Sequence, residues 1–231
     1  MISENVQNIR QRIDLACRRV GRSPSEVSLV AVSKTFPADR IRDAVSAGVR
    51  DIGENYVQEV TGKRDLLSGL DIRWHFIGHL QSNKVKQVAS WVHLVHAVDS
   101  VGLVREIDKQ ASRAGRTLDV LIEVNTTGES TKFGVAPENT AELLQALEPF
   151  KNIRVSGLMT IGPFLPDPEG SRPMFRQLRL LREQLSQVRQ HNIDLRHLSM
   201  GMTGDFEVAI EEGATIVRIG TAIFGSRKKQ G

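Results

Sequence analysis

Cysteine is almost missing from this sequence: Cys17 is the single one among 231 residues. An intrachain disulfide is excluded, and with it any fold that depends on disulfide staples. Cys17 falls on the apolar stripe of a helical segment, where a lone thiol reads as a small packed hydrophobe. Aromatic residues are scarce at 5%, with one tyrosine, Tyr56. A surface that stacks nucleic-acid bases needs aromatics set into a concentrated basic face. The net charge is only +4, and Arg227, Lys228 and Lys229 of the tail carry part of it. The expectation is no nucleic-acid partner and a solvated basic tail. No apolar run approaches the roughly 18 residues of a membrane span. Met1 to Arg12 is polar, without a signal-peptide core, so a cytoplasmic protein is expected, with no membrane partner. A metal-ligand pattern is missing as well. His75 and His79 fall on a strand and the loop after it, with no Cys/His/Asp cluster beside them in sequence. No metal is expected.

What is present is a long alternation of strand and helix signals. Val6, Ile9, Ile13, Ala16, Cys17 and Val20 repeat at helical spacing and predict a first helix from about Ser3 to Val20, ended by Gly21. Val27 to Lys34 is short, β-branched and mostly apolar, as a strand buried on both faces reads. Pro37 opens a second helix and Gly48 closes it. Strands then follow at 49–53, 73–78, 92–98, 118–124, 155–161 and 195–200, with the last inside 215–224. Helical patterns separate them, at 55–67, 82–89, from Val101 to Gly115, from Pro137 onward, around Met174 to Val188, and at 205–211. Repeated βα units imply a parallel sheet. Eight of them in this length predict an α/β fold with a single closed (β/α)₈ TIM-type barrel and one extra N-terminal helix, residues 1–231 forming one domain. An open doubly wound sheet is the alternative. No G-x-G-x-x-G follows the first strand, which counts against dinucleotide binding.

In such a barrel function collects where the strands end at their C-termini. The first strand ends in Ser33-Lys34-Thr35, so Lys34 either points into the barrel mouth or lies solvated in the loop. A lysine amine forms a Schiff base with an aldehyde once its surroundings lower its pKa. Asn55 follows the second strand and either bonds a ligand or caps the next helix. The last two strands run into the glycine-rich segments Ser199 to Asp205 and Gly220 to Gly225. Glycines admit close backbone approach, Ser199 and Thr221 add hydroxyls, and these are the two loops that hold phosphate in many barrels. Arg218 interrupts the apolar run Ile216-Val217-Arg218-Ile219, so it requires a partner: a structural carboxylate, or a ligand nitrogen or phosphate.

Taken together, these segments resemble the pyridoxal-phosphate homeostasis protein family. The matching stretches are Leu29 to Thr35, Gly53 to Glu59, Trp74 to Lys84, Gly157-Leu158-Met159, Leu198 to Met202 and Val217 to Gly225. They fall in order over nearly the whole chain, and the set is far more specific than any one stretch. The resemblance implies a barrel like the N-terminal domain of alanine racemase. It implies pyridoxal 5'-phosphate as cofactor, held on Lys34 as an internal aldimine. Ser199, Gly220 and Thr221 would hold its phosphate, Arg218 would face the pyridine nitrogen, Asn55 and Met200 would line the pocket, and His79 would stand at its edge.

Chemistry then separates the function classes. An arginine gives up no proton easily, so the facing nitrogen stays neutral and the ring is a poor electron sink. Carbanion chemistry is better served by a carboxylate there. A racemase also needs a second base, which in alanine racemase is a tyrosine of a C-terminal domain. The sequence ends directly after the barrel, and its one tyrosine is Tyr56. The expectation is a non-catalytic protein of intracellular cofactor homeostasis that buffers or delivers pyridoxal phosphate, with cofactor-dependent apoenzymes as partners and a monomer as its state. A low-activity amino-acid racemase is the alternative, and a phosphosugar-type barrel enzyme the third reading. Lys132 and the basic tail enter as candidates for handling a second cofactor molecule.

Overall fold

The computed structural model describes residues 1–129, 133–188 and 190–226. Lys132, Arg227, Lys228 and Lys229 lie outside them. Eight parallel strands close into a barrel in sequence order. They are β1 (Ser28–Val32), β2 (Asp51–Glu54), β3 (Arg73–Phe76), β4 (Leu94–Val98), β5 (Leu118–Glu123), β6 (Ile153–Met159), β7 (Ile193–Ser199) and β8 (Ile216–Ile219). Closure runs through β1 and β8, with Val30 opposite Arg218. The expected (β/α)₈ barrel is what the chain forms.

The uniformly apolar strands are explained by burial on both faces. Ala31, Ile52, Phe76, Val95, Val120, Leu198 and Val217 belong to the large core shared with the helices. Alternate residues face the barrel interior, where Val30, Leu94, Ala97, Leu121, Met159 and Ile216 form a smaller, separate cluster. Strands β6 and β7 approach most closely at Gly157, where a Cβ would stand 2.1 Å from the His197 carbonyl oxygen. No side chain fits there, and the register shifts at this point.

Around the barrel lie α1 (Ile2–Arg19), α2 (Ala38–Ser46), α3 (Val57–Leu66), α4 (Val101–Arg113), α5 (Thr140–Ala146), α6 (Arg172–Leu185), α7 (Phe206–Glu211) and α8 (Thr221–Phe224). The segment expected as a helix at 82–89 winds instead into 3₁₀ turns over Ser82–Gln87. The expected last strand stops at Ile219, and Thr221 to Phe224 turn into the single-turn α8. One turn is too short to cover β8. The extra N-terminal helix fills the gap: α1 packs against α2, α7 and α8. It buries Val6, Ile9, Ile13, Ala16 and Cys17, and Asn5 donates to the Ile223 carbonyl at 2.9 Å. Pro37 stands as the N-cap of α2 rather than inside its first turn.

Candidate functional site

A cavity of about 360 Å³ opens at the C-terminal mouth of the barrel. That volume lies in the range of small-molecule sites. Its walls come from Val32, Lys34 and Phe36 after β1, Asn55 after β2, and Ile77 after β3. Ile161 and Phe164 follow β6, Met202, Thr203 and Gly204 follow β7, and Arg218, Gly220 and Thr221 come from β8 and its end. Among the described residues, Lys34 and Arg218 are the charged ones of that lining, and both are cationic. The cavity therefore favours an anion. Phe164 stands at the lip, 87% exposed.

Lys34 reaches the cavity because strand alternation continues two residues past β1. Val32 faces in, Ser33 faces the helices, and Lys34 faces in again. The loop is gripped from behind. The fully buried Ser33 hydroxyl donates to Glu54 Oε1 at 2.6 Å. Lys63 of α3 donates to the same oxygen at 2.6 Å, to the Ser33 carbonyl at 2.9 Å and to Glu59 Oε2 at 2.9 Å. Glu59 in turn accepts the Thr35 N–H at 2.8 Å. Thr35 has φ 69°, a left-handed conformation that a β-branched residue adopts only when its surroundings impose it. Burial pushes the Glu54 carboxyl up, and the bonds from Lys63 and Ser33 oppose the rise.

Arg218 lies at the floor, 4% exposed. Its Nη1 donates to Ser199 Oγ at 2.6 Å and its Nη2 to the Thr160 carbonyl at 2.9 Å. Burial lowers its guanidinium to about 10, which leaves it charged at neutral pH, while Glu123 and Asp205 act to raise it. Ser199 Oγ is also 2.9 Å from His96 Nδ1, and His96 Nε2 is 2.9 Å from His75 Nδ1. Glu123, at the end of β5, is pushed up to about 7 by burial, with Asp99 adding to the rise and Arg218 opposing it.

The structure brings five of the sequence candidates together on the cavity: Lys34, Asn55, Arg218, Gly220 and Thr221. Asn55 is not the cap of α3, a place taken by Tyr56. Its Oδ1 is buried without a hydrogen-bond partner. The three others do not line the cavity. Ser199 is fully buried and acts on Arg218. The Met200 side chain packs outward in the helix-facing core, because strand alternation turns it away. His79 is exposed and stacks on Phe133, ring centroids 4.2 Å apart. Sequence reasoning missed the Glu54–Lys63–Glu59 grip, the role of His96, and Thr203 and Phe164 in the lining. One signal was available: Lys63 follows Val57 and Val60 on the buried face of α3, where a charge needs a partner. Among the described residues no group of three or more His, Cys, Asp or Glu is placed to hold a metal.

The chain matches the alanine racemase N-terminal domain family over residues 5–228. It is 51% identical to the pyridoxal phosphate homeostasis protein of Aquifex aeolicus, covering 97% of this chain and 98% of that one. It is 40% identical to the protein of the same name from Escherichia coli K12, covering 98% and 97%. The chain belongs to the pyridoxal phosphate homeostasis protein family. A solved relative of this family member is PipY of Synechococcus elongatus with pyridoxal phosphate bound, at 34% identity and TM-score 0.85, covering 97% of this chain and all of that one. Alanine racemase of Clostridium difficile shares the fold alone, at 14% identity and TM-score 0.70, and this chain covers 58% of it.

Proposed function

We propose that the barrel-mouth cavity holds pyridoxal 5'-phosphate reversibly, and that the protein buffers or delivers this cofactor inside the cell. The observation that carries the reading is the shared cavity itself: one lysine, one buried arginine, and the backbone of Gly220 and Thr221. Its cationic lining suits a phosphorylated ligand. Gly220 and Thr221 open α8, so helix geometry leaves their N–H groups without partners inside it. The unpaired Asn55 Oδ1 supplies a further polar contact.

When bound, the cofactor supplies an aldehyde that amines attack reversibly. Lys34, which lines the cavity, is the amine that would hold it there. Arg218 would face the ring nitrogen as a charged donor and would keep it unprotonated, which suits storage better than carbanion chemistry. Thr221, Gly220 and the loop at Thr203 and Gly204 would hold the phosphate, and Ser199 would serve through Arg218. Met200 acts through the packing behind the loop, and His79 stands outside the lining. The non-catalytic reading draws support from the bases at hand: Tyr56 is exposed on α3's N-cap and does not line the cavity, and the lining holds no histidine. The site lies in the cytoplasm of a monomer that passes cofactor to apoenzymes.

The test is an absorbance titration with pyridoxal phosphate of the native protein and of Lys34→Ala. The native protein should gain a lysine-bound band that borohydride fixes to residue 34, and the variant should show only the free aldehyde. Racemase and transaminase assays on the same samples should stay at background. Identical spectra for both proteins would remove Lys34 from the site, and stereochemical turnover would replace storage with catalysis.

A further inference from the structure

A polar chain crosses the barrel interior from its N-terminal rim to Arg218. At the rim, Arg73 donates to Asp51 Oδ2 at 2.6 Å. Asp51 Oδ1 is 2.8 Å from His75 Nε2, and the three links already described, His75 to His96, His96 to Ser199 and Ser199 to Arg218, complete the path. His75, His96, Ser199 and Arg218 are all buried, and His96 and Ser199 are fully so.

With both rings neutral, its two ends determine every hydrogen between them. Arginine only donates, so Ser199 Oγ accepts from Arg218. An ionised carboxylate only accepts, so His75 Nε2 carries a proton toward Asp51. Burial alone would raise the Asp51 carboxyl, but the bonds from His75 and Arg73 outweigh it and hold Asp51 low, so it is ionised at neutral pH. A neutral imidazole has one donor and one acceptor. His75 Nδ1 therefore accepts, His96 Nε2 donates to it, His96 Nδ1 accepts, and the Ser199 hydroxyl hydrogen points to His96. Each link then holds one hydrogen, and all point from Arg218 toward Asp51. A proton added to either ring would leave a donor facing a donor or turn the serine hydrogen out of the chain. Burial drives the His96 imidazolium well below its usual range, which favours the neutral ring.

We propose that Asp51, His75 and His96 are positioning residues for Arg218, fixing through one hydrogen-bond polarity the Ser199 lone pair that aims the guanidinium into the cavity. The consequence for cofactor rests on the reading that the cavity holds pyridoxal phosphate; the polarity itself does not.

Asp51→Asn makes the chain testable at a distance. Arg73 selects the amide orientation in which Asn oxygen accepts from it, and the amide nitrogen then faces His75 Nε2. His75 Nε2 must now accept from that amide, so His75 and His96 both change tautomer, and His96 donates to Ser199. Long-range ¹⁵N–¹H correlation of the labelled native protein, without cofactor, should show both rings protonated at Nε2 only. In Asp51→Asn both should be protonated at Nδ1 only, although His96 does not touch residue 51. The affinity for pyridoxal phosphate should fall about tenfold in the variant, the effect of one redirected hydrogen bond. A native His96 protonated at Nδ1 overturns the proposal, and needs no variant to fold. So does a His96 that ignores Asp51→Asn, or a full tautomer switch with unchanged affinity. A native protein that binds no pyridoxal phosphate overturns the functional reading instead, and the ring tautomers then still decide the chain.

Discussion

Glu123 shows how much the interior of this barrel charges for a single group. Its carboxyl sits at the end of β5, 5% exposed, with burial lifting it to about 7. The folded protein therefore binds more protons than the unfolded chain between about pH 4.5 and 7. The stability this gives is present in acid and lost as pH rises through that window. Holding the carboxylate ionised above pH 7 then costs on the order of 3 kcal/mol. Glu123→Gln removes that titration. Urea unfolding at pH 8 should find the variant more stable than the native protein by up to about 3 kcal/mol, and the two should converge near pH 4.5. An equal difference at both pH values would show that this carboxyl does not titrate on folding. At the same scale, Arg218 was legible in the sequence because it broke an apolar run, and Lys34 because it stood at the end of one. The Glu54–Lys63 pair was not, because its meaning lies in a partner on another element.

At the scale of elements, α3 serves the loop after β1 more than it serves itself. Lys63 ties that helix to β2 through Glu54 and to the Lys34 loop through the Ser33 carbonyl. Lys63→Met strands a fully buried carboxylate, for which loss of about 3 kcal/mol is expected. In a chain of this size that lowers Tm by about 6–12 °C in a calorimetric scan. The double variant Lys63→Met with Glu54→Gln should regain part of the loss, because the stranded charge is gone. A single variant as stable as the native protein would reduce the grip to a surface ion pair. Element boundaries in the sequence were close where a turn residue marked them: Gly48 and Gly115 both take positive φ just beyond α2 and α4. They failed at 82–89 and 221–224. There the apolar pattern was real, but chain closure around the barrel decided between strand, 3₁₀ turn and helix.

At the scale of the molecule, the proposed ligand is linked to stability. If the barrel mouth holds pyridoxal phosphate as proposed, and more tightly than the amines of the unfolded chain do, a hundredfold excess over Kd adds up to about 2.7 kcal/mol. The expected rise in Tm is about 5–11 °C for the native protein and clearly less for Lys34→Ala. If the proposed monomer is correct, sedimentation of both should give one species at the 25.7 kDa of the chain. A Tm that depends on protein concentration would argue for a dimer instead. Among the described residues no helix is long and apolar enough to cross a membrane.

The order of strands and helices was legible in the sequence alone, and it favoured a closed barrel over an open doubly wound sheet; the pairing of β1 with β8 decided between them. Eight doubly buried strands separated by helical segments call for right-handed parallel connections, and in this length those favour the barrel. The cationic residues at the strand ends were equally plain, because a charge inside an apolar run or at its end is visible without coordinates. Tertiary structure alone decided which of them meet. It turned Met200 outward and His79 away, moved Ser199 from the cavity wall to the back of Arg218, and made α1 the cover for a strand whose own helix is one turn long. It also joined Asp51, His75, His96 and Ser199, residues on four strands, into one path. The physical reason is the barrel's stagger. Side-chain direction follows from each strand's own alternation, but which neighbours share a layer depends on register between strands, and no single strand encodes that.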